Sequence, residues 1–279
     1  MKRKITTKMI DTFIEHLVIA EKSKNTILKY VHDVKLFASF ADGKRIDKII
    51  TLRYKEMLEE KYATASVNSM IASLNAFLRF VGCSECCVKQ LKVQKMVYCP
   101  TEKEISKEEY FRLVKTARNE GEEQLCLIMQ TICSLGIRIS ELEYITVEAI
   151  YKGEAKVNCK GKIRKVFIVK DLQRLLLKYI EKKNIVSGAV FVTKTGKPVN
   201  RSNVWRKMKE LCQKAQVDPQ KVFPHNLRHL FARTFYEIEK DIAKLADILG
   251  HSNINTTRIY IITTCCEHRK RMERMRLVI

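Results

Sequence analysis

Residues 249–261 read Leu-Gly-His-Ser-Asn-Ile-Asn-Thr-Thr-Arg-Ile-Tyr-Ile. A Gly-His pair is followed by polar turn residues, then by a short apolar stretch that holds Tyr260. Taken alone, Tyr260 between Ile259 and Ile261 reads more readily as a core aromatic than as a nucleophile. What surrounds it decides between them, and three upstream segments share its character. GIRISEL, 136–142, places Arg138 just after a helix-stopping glycine. NCKGKIRKV, 158–166, places Lys160 where a hairpin should turn. PHNLRHLFA, 224–232, sets His225 and Arg228 three apart behind a proline suited to a first helical turn. Side chains at i and i+3 share one helix face, so His225 and Arg228 can address one ligand together.

Each residue also has a plain structural reading. Arg138 could be a solvated arginine, Lys160 one lysine among many, and His225 a helix-start cap. The combination carries more information than its parts. Two arginines, two histidines, a lysine and a tyrosine follow one another within one half of a basic chain.

The chain has 279 residues, enough for two domains. Its hydrophobic fraction, 46%, suits packed cores and excludes a disordered chain. The formal net charge is +22. Residues 1–100 carry 18 basic and 10 acidic side chains, a surplus of 8, and residues 101–279 carry 35 and 21, a surplus of 14. Both halves are therefore basic, which points to a polyanionic partner. The first residues, MKRKITTKMIDTFIEHL, start like a secretory leader, but Asp11, Glu15 and His16 interrupt the apolar run. No stretch approaches the roughly 20 apolar residues of a membrane span. The expectation is a cytoplasmic protein without membrane contact. The ten cysteines include Cys83-x-x-Cys86-Cys87 and Cys265-Cys266. No second ligand pair completes a zinc set, and Cys126 and Cys133 sit in apolar runs.

Apolar residues recur at helical spacing over 7–40, 52–60 and 65–81, where Val67, Ile71, Leu74, Phe77 and Leu78 form a stripe. Ser23 or Asn25 caps the second helix, and Asp42-Gly43 ends it. Residues 1–92 thus read as a helical domain and 93–104, with Pro100, as a linker. A second domain, which holds the four segments, is expected over 105–264 and a tail over 265–279. Ser106-Lys-Glu-Glu109 is a capping-box sequence opening a helix. Alternation over 153–170 predicts two short strands, and helical patterns resume at 171–182, 202–215, 225–239, 241–249 and 256–262. The fold class expected is mainly α with a small antiparallel β-sheet, in two domains.

The four segments together resemble the tyrosine recombinase (phage integrase) family. That family orders an arginine, a hairpin lysine, His-x-x-Arg, Leu-Gly-His, and a tyrosine nine residues beyond that histidine. Here the matching elements are Arg138, Lys160, His225-Asn-Leu-Arg228, Leu249-Gly250-His251 and Tyr260. The match covers roughly 100–265 well. KSKNTILKYVHDVKLFASF resembles the family's core-binding domain more loosely. The departures are small: Ile137 stands where leucine is common, Lys162 could take the role of Lys160, and Ile261-Ile262 replace polar residues.

The resemblance implies site-specific recombination of duplex DNA, as by the integrase or transposase of a mobile element. The two domains would close on the DNA as a clamp. Arg138 and Arg228 would clamp nonbridging phosphate oxygens, and Tyr260 would be the nucleophile. His225 would be the base, His251 a hydrogen-bond donor to the phosphate, and Lys160 the general acid for the 5′-oxygen. The product would be a 3′-phosphotyrosyl bond, with no cofactor or metal required. Also implied are a homo-tetramer on DNA, accessory DNA-bending proteins, and a tail, ending Leu277-Val278-Ile279, exchanged between protomers. A type IB topoisomerase would use the same chemistry as a monomer. A DNA-binding regulator that has lost catalysis is the other alternative.

Overall fold

Thr6, Ser23 and Asp47 each accept a hydrogen bond from the backbone N–H three residues on, and each such cap starts a helix. These are α1 (Thr7–Ile19), α2 (Lys24–Ala41) and α3 (Lys48–Lys61), followed by α4 (Thr64–Phe80). Of the two candidate caps for α2, Ser23 is the one used. Asp42 then turns left-handed, with φ 45°, and ends it. The apolar stripe of α4 is buried along its length, with Val67, Ile71, Leu74, Phe77 and Leu78 packed against Phe13, Phe37, Tyr54 and Leu58. Asn75 accepts from Val88 N–H at 3.0 Å and donates to its carbonyl at 2.8 Å. Asn68 treats Leu91 in the same way, so two amides of one helix pin the chain that leaves it.

This computed structural model describes residues 4–92, 104–159, 162–193, 195–251, 253–258 and 273–274. It divides into two compact units, Met1–Lys95 and Met96–Ile279. Among the described residues, no helix is long and apolar enough to cross a membrane, and no group of three or more His, Cys, Asp or Glu is placed to hold a metal ion.

The second unit opens with α5 (Lys107–Asn119), whose capping box is complete: Ser106 accepts from Glu109 N–H, and Glu109 accepts from Ser106 N–H. The buried helix α6 (Glu123–Leu135) follows and stops at Gly136, φ 61°. Residues 139–144 make a 3-10 turn, and α7 spans Val147–Lys152. Both are too short for a hydrophobic period to announce them. Strands β1 (Glu154–Cys159) and β2 (Lys162–Phe167) pair antiparallel, from Glu154 opposite Phe167 to Cys159 opposite Lys162. Lys160 and Gly161 are thus the connecting positions, and they lie outside the described residues. Then come α8 (Lys170–Lys182), α9 (Arg201–Ala215), α10 (Pro224–Glu239), α11 (Ile242–Leu249) and α12 (Ile254–Arg258). The molecule is mainly helical with one small antiparallel sheet.

α6 lies at the centre of the second unit, against α5, α8, α9 and α10. Its end is sterically demanding. A Cβ on Gly136 would lie 2.4 Å from Phe231 Cδ1 and 3.1 Å from Leu249 Cδ2, whereas one on Gly188 would meet nothing within 4 Å. Both glycines have positive φ, 61° and 76°. Gly188→Ala therefore carries only the left-handed penalty of about 1–2 kcal/mol. Gly136→Ala adds an overpacking cost of about 1–3 kcal/mol. Urea unfolding is expected to show the larger loss for Gly136→Ala, and equal losses would refute the close contact.

Candidate active site

Arg228 is the largest fully buried side chain described, 1% exposed. A guanidinium stays charged at any ordinary pH, so burial demands acceptors around it. Backbone supplies two of them. Nη1 donates to Gly136 O at 2.6 Å and Nη2 to Leu249 O at 2.7 Å. These carbonyls lie at the ends of α6 and α11, both closed by left-handed glycines. Helix C-termini carry partial negative charge, so the glycines of GIRISEL and LGHSN aim two negative ends at one arginine.

Glu141 is the matching acid, 2% exposed. It accepts from Arg138 N–H at 2.8 Å and Arg138 Nη1 at 2.9 Å. Arg164 Nη2 donates to it at 2.7 Å, and Arg228 Nη1 stands 3.9 Å away. Arg164 also donates from Nη1 to Ile248 O at 2.7 Å, which ties β2 to the end of α11. A Cβ on Gly250 would fall 2.7 Å from Arg164 Cδ, so the glycine leaves the space this arginine crosses. Among the described residues, three guanidiniums around one carboxylate leave a surplus of two positive charges, suited to an anion.

The histidines stand at the edge of this cluster. His225 is the second residue of α10, whose N-cap is Phe223, so it is not the helix cap. Burial first, then Arg228, Arg138 and Arg201, lower its pKa below the ordinary value. One turn on, His229 packs edge-on against it, with ring centroids 4.7 Å apart. Burial, then His225, Arg228 and Arg233, push His229 down to about 3. His251 Nε2 lies 3.0 Å from Arg228 Nη2, and its Nδ1 lies 2.9 Å from Thr257 Oγ1. Its pKa is lowered to about 4, by burial first and then by Arg228, Arg138, Arg164 and His225.

Histidines depressed in this way link stability to pH. The unfolded chain takes up their protons near the ordinary value of 6.5, while the folded unit resists until about 4 at His251 and about 3 at His229. Their contribution is fully present above pH 6.5 and is lost as pH falls through those values. The urea midpoint of the second unit is expected to drop across this window. His229→Phe should flatten the drop, and an unchanged pH dependence would contradict the buried neutral ring.

A cavity of about 970 Å³ opens beside the cluster, lined among others by Arg138, His225, Arg228, Arg201, Trp205 and Phe223. Arg138, His225, Arg228 and His251, spread over the sequence, thus come together. Lys160 and Tyr260 lie outside the described residues, as does the Lys162 side chain. Glu141, Arg164, His229 and Thr257 were missed by the sequence reading, although all four sit inside its motifs. The Arg138-x-x-Glu141 spacing was the available signal for one of them.

A profile of the phage integrase family matches residues 103–264. One described as phage integrase, N-terminal SAM-like domain, matches residues 10–82. The tyrosine recombinase XerA of Pyrococcus furiosus is 27% identical over 287 residues, covering 99% of this chain and 97% of its own. Among solved structures, XerA recombinase shares 24% identity and covers 99% of this chain and all of its own, with a TM-score of 0.55. The Tn1549 transposon integrase in complex with transposon right end DNA shares 16% and covers 96% of this chain and 98% of its own, with a TM-score of 0.73. With the integrase profile spanning more than half its length, this chain belongs to the phage integrase family, the tyrosine recombinases.

Proposed function

We propose that this recombinase cuts and rejoins duplex DNA at a specific site through a 3′-phosphotyrosyl bond to Tyr260. The observation that carries the reading is the convergence of Arg138, Arg228, His225 and His251 on one positively biased cluster. A phosphodiester brings one negative charge, and its pentacoordinate transition state places more on the nonbridging oxygens. Guanidiniums held ready in a partly buried site favour that state over the ground state. The Tyr260 oxygen would attack phosphorus as the bond to the 5′-oxygen breaks. The phenol has an ordinary pKa of about 10, so its proton needs an acceptor. His225, kept neutral by burial and by the neighbouring arginines, suits that task. The departing 5′-oxygen would take its proton from Lys160 or Lys162.

The basic surplus in both halves of the sequence supports phosphate contacts from each unit, with binding that weakens steeply as salt rises. DNA is also present in the structure of the transposon integrase relative. A tetramer on the DNA, accessory bending proteins, exchange of the tail between protomers and a cytoplasmic location belong to the same proposal.

The test is a covalent trap on nicked duplexes that span the DNA flanking the gene. A protein–DNA band that survives denaturation, with the adduct mapped by mass spectrometry to the peptide holding Tyr260, is the expected result. An adduct on another residue would overturn the assignment. Relaxation of supercoiled DNA lacking any such site would move the reading to a topoisomerase.

A further inference from the structure

His251 and Thr257 determine where a proton can sit. A guanidinium has donors and no acceptor, so the 3.0 Å contact between Arg228 Nη2 and His251 Nε2 makes Nε2 the acceptor. The ring proton is then on Nδ1 and is donated to Thr257 Oγ1, 2.9 Å away. Thr257 is 0% exposed and belongs to α12, three positions before Tyr260.

We propose that Thr257 is a positioning residue for strand cleavage: it holds His251 as the Nδ1–H tautomer with its bare Nε2 turned to Arg228. The ring can then donate to a phosphate oxygen only after Nε2 takes up a proton. The proposal rests on the reading above, that the scissile phosphate binds at Arg138 and Arg228. The proton comes from solvent, and the only bond formed is N–H.

The groups that face the ring explain why uptake waits for the phosphate. Arg228 and His225 face it from α10, Arg138 from the start of the 3-10 turn and Arg164 from β2, with Glu141 as the buried counter-charge. In the free protein burial first, and then this positive surplus, keep the ring neutral. An incoming phosphodiester cancels part of the surplus and offers an oxygen that accepts from a protonated Nε2. The same phosphate competes for Arg228 Nη2. Binding of the phosphate and protonation of the ring are therefore coupled.

The tautomer is measurable without DNA. In the full chain labelled with nitrogen-15 histidine, correlation spectra at pH 7 are expected to show His251 Nδ1 protonated and Nε2 bare. Thr257→Val keeps the branched shape and removes the hydroxyl, so a mixture of tautomers is expected, and Thr257→Ser should restore the single form. Thermal melting of each variant separates this from misfolding. Calorimetry with a nicked duplex, in buffers of different ionisation enthalpy, is expected to show proton uptake on binding, lost in His251→Gln. Cleavage by Thr257→Val should be roughly tenfold slower, the scale of one lost hydrogen bond, with an altered pH profile and rescue by serine. A protonated Nε2 in the free protein would overturn the proposal. So would a Thr257→Val variant with the wild-type tautomer and pH profile. Because the spectra need no cleavage, a missing covalent adduct would sink the proposed function while leaving the tautomer result readable by itself.

Discussion

Tyr260→Phe should abolish the denaturation-resistant protein–DNA adduct while leaving salt-sensitive DNA binding in place. The substitution removes one oxygen and keeps the ring. Affinity for DNA comes mainly from phosphate contacts by a chain of net charge +22, and these are untouched, so the slope of binding against salt should be unchanged. On the proposed mechanism the chemistry loses its nucleophile outright. Deleting a covalent nucleophile costs ~10⁴-fold or more in enzymes that depend on one, which places the adduct below detection. The arginine cluster would still polarise the phosphate, but no group would be positioned to attack it. A denaturing gel with both proteins on the same nicked duplex reads the result. An adduct that persists in Tyr260→Phe would mean that LGHSNINTTRIYI holds an ordinary aromatic.

The second large effect is expected at Glu141, and it falls on stability before chemistry. Its carboxylate is buried with Arg138, Arg164 and Arg228 around it. Removing one partner of a buried ion pair costs about 3–5 kcal/mol, because the remaining charges stay desolvated and unmatched. For a unit of this size Glu141→Ala should lower the melting temperature by roughly 6–20 °C. Glu141→Gln keeps the shape and one acceptor, so it isolates the charge. In that variant the positive surplus grows, and binding of the duplex should hold or tighten. Cleavage should slow, since Arg138 and Arg164 lose the carboxylate that orients them. A variant that melts like wild type would show that the cluster does not depend on Glu141.

Much of the molecule is legible along the chain, for local reasons. A capping box acts across three residues, as at Ser106 and Glu109. A stripe such as Val67 to Leu78 repeats with the turn of its own helix, and a glycine such as Gly136 stops a helix by its own backbone freedom. The order of Arg138, Lys160, His225, Arg228, His251 and Tyr260 likewise needed no coordinates to be noticed, because the motifs are contiguous. The short 3-10 turn over 139–144 and helix α7 escaped that reading, since neither is long enough to show a period.

What the tertiary structure decided concerns charge. Arg228 looks in the sequence like a phosphate ligand three residues from a histidine. In the fold it is buried, held by the carbonyls of Gly136 and Leu249, 92 and 21 residues away. Glu141 reads as one acid in a turn, yet it gathers Arg138 and Arg164, the latter from 23 residues on. His251 reads as a donor to phosphate, yet in the fold its Nε2 lies 3.0 Å from Arg228 Nη2 and its Nδ1 2.9 Å from Thr257 Oγ1. Caps and periods are set by neighbours a turn away and can be read residue by residue. The partners of a buried charge are whichever dipoles the packing of separate helices brings within 3 Å, and no local pattern specifies those.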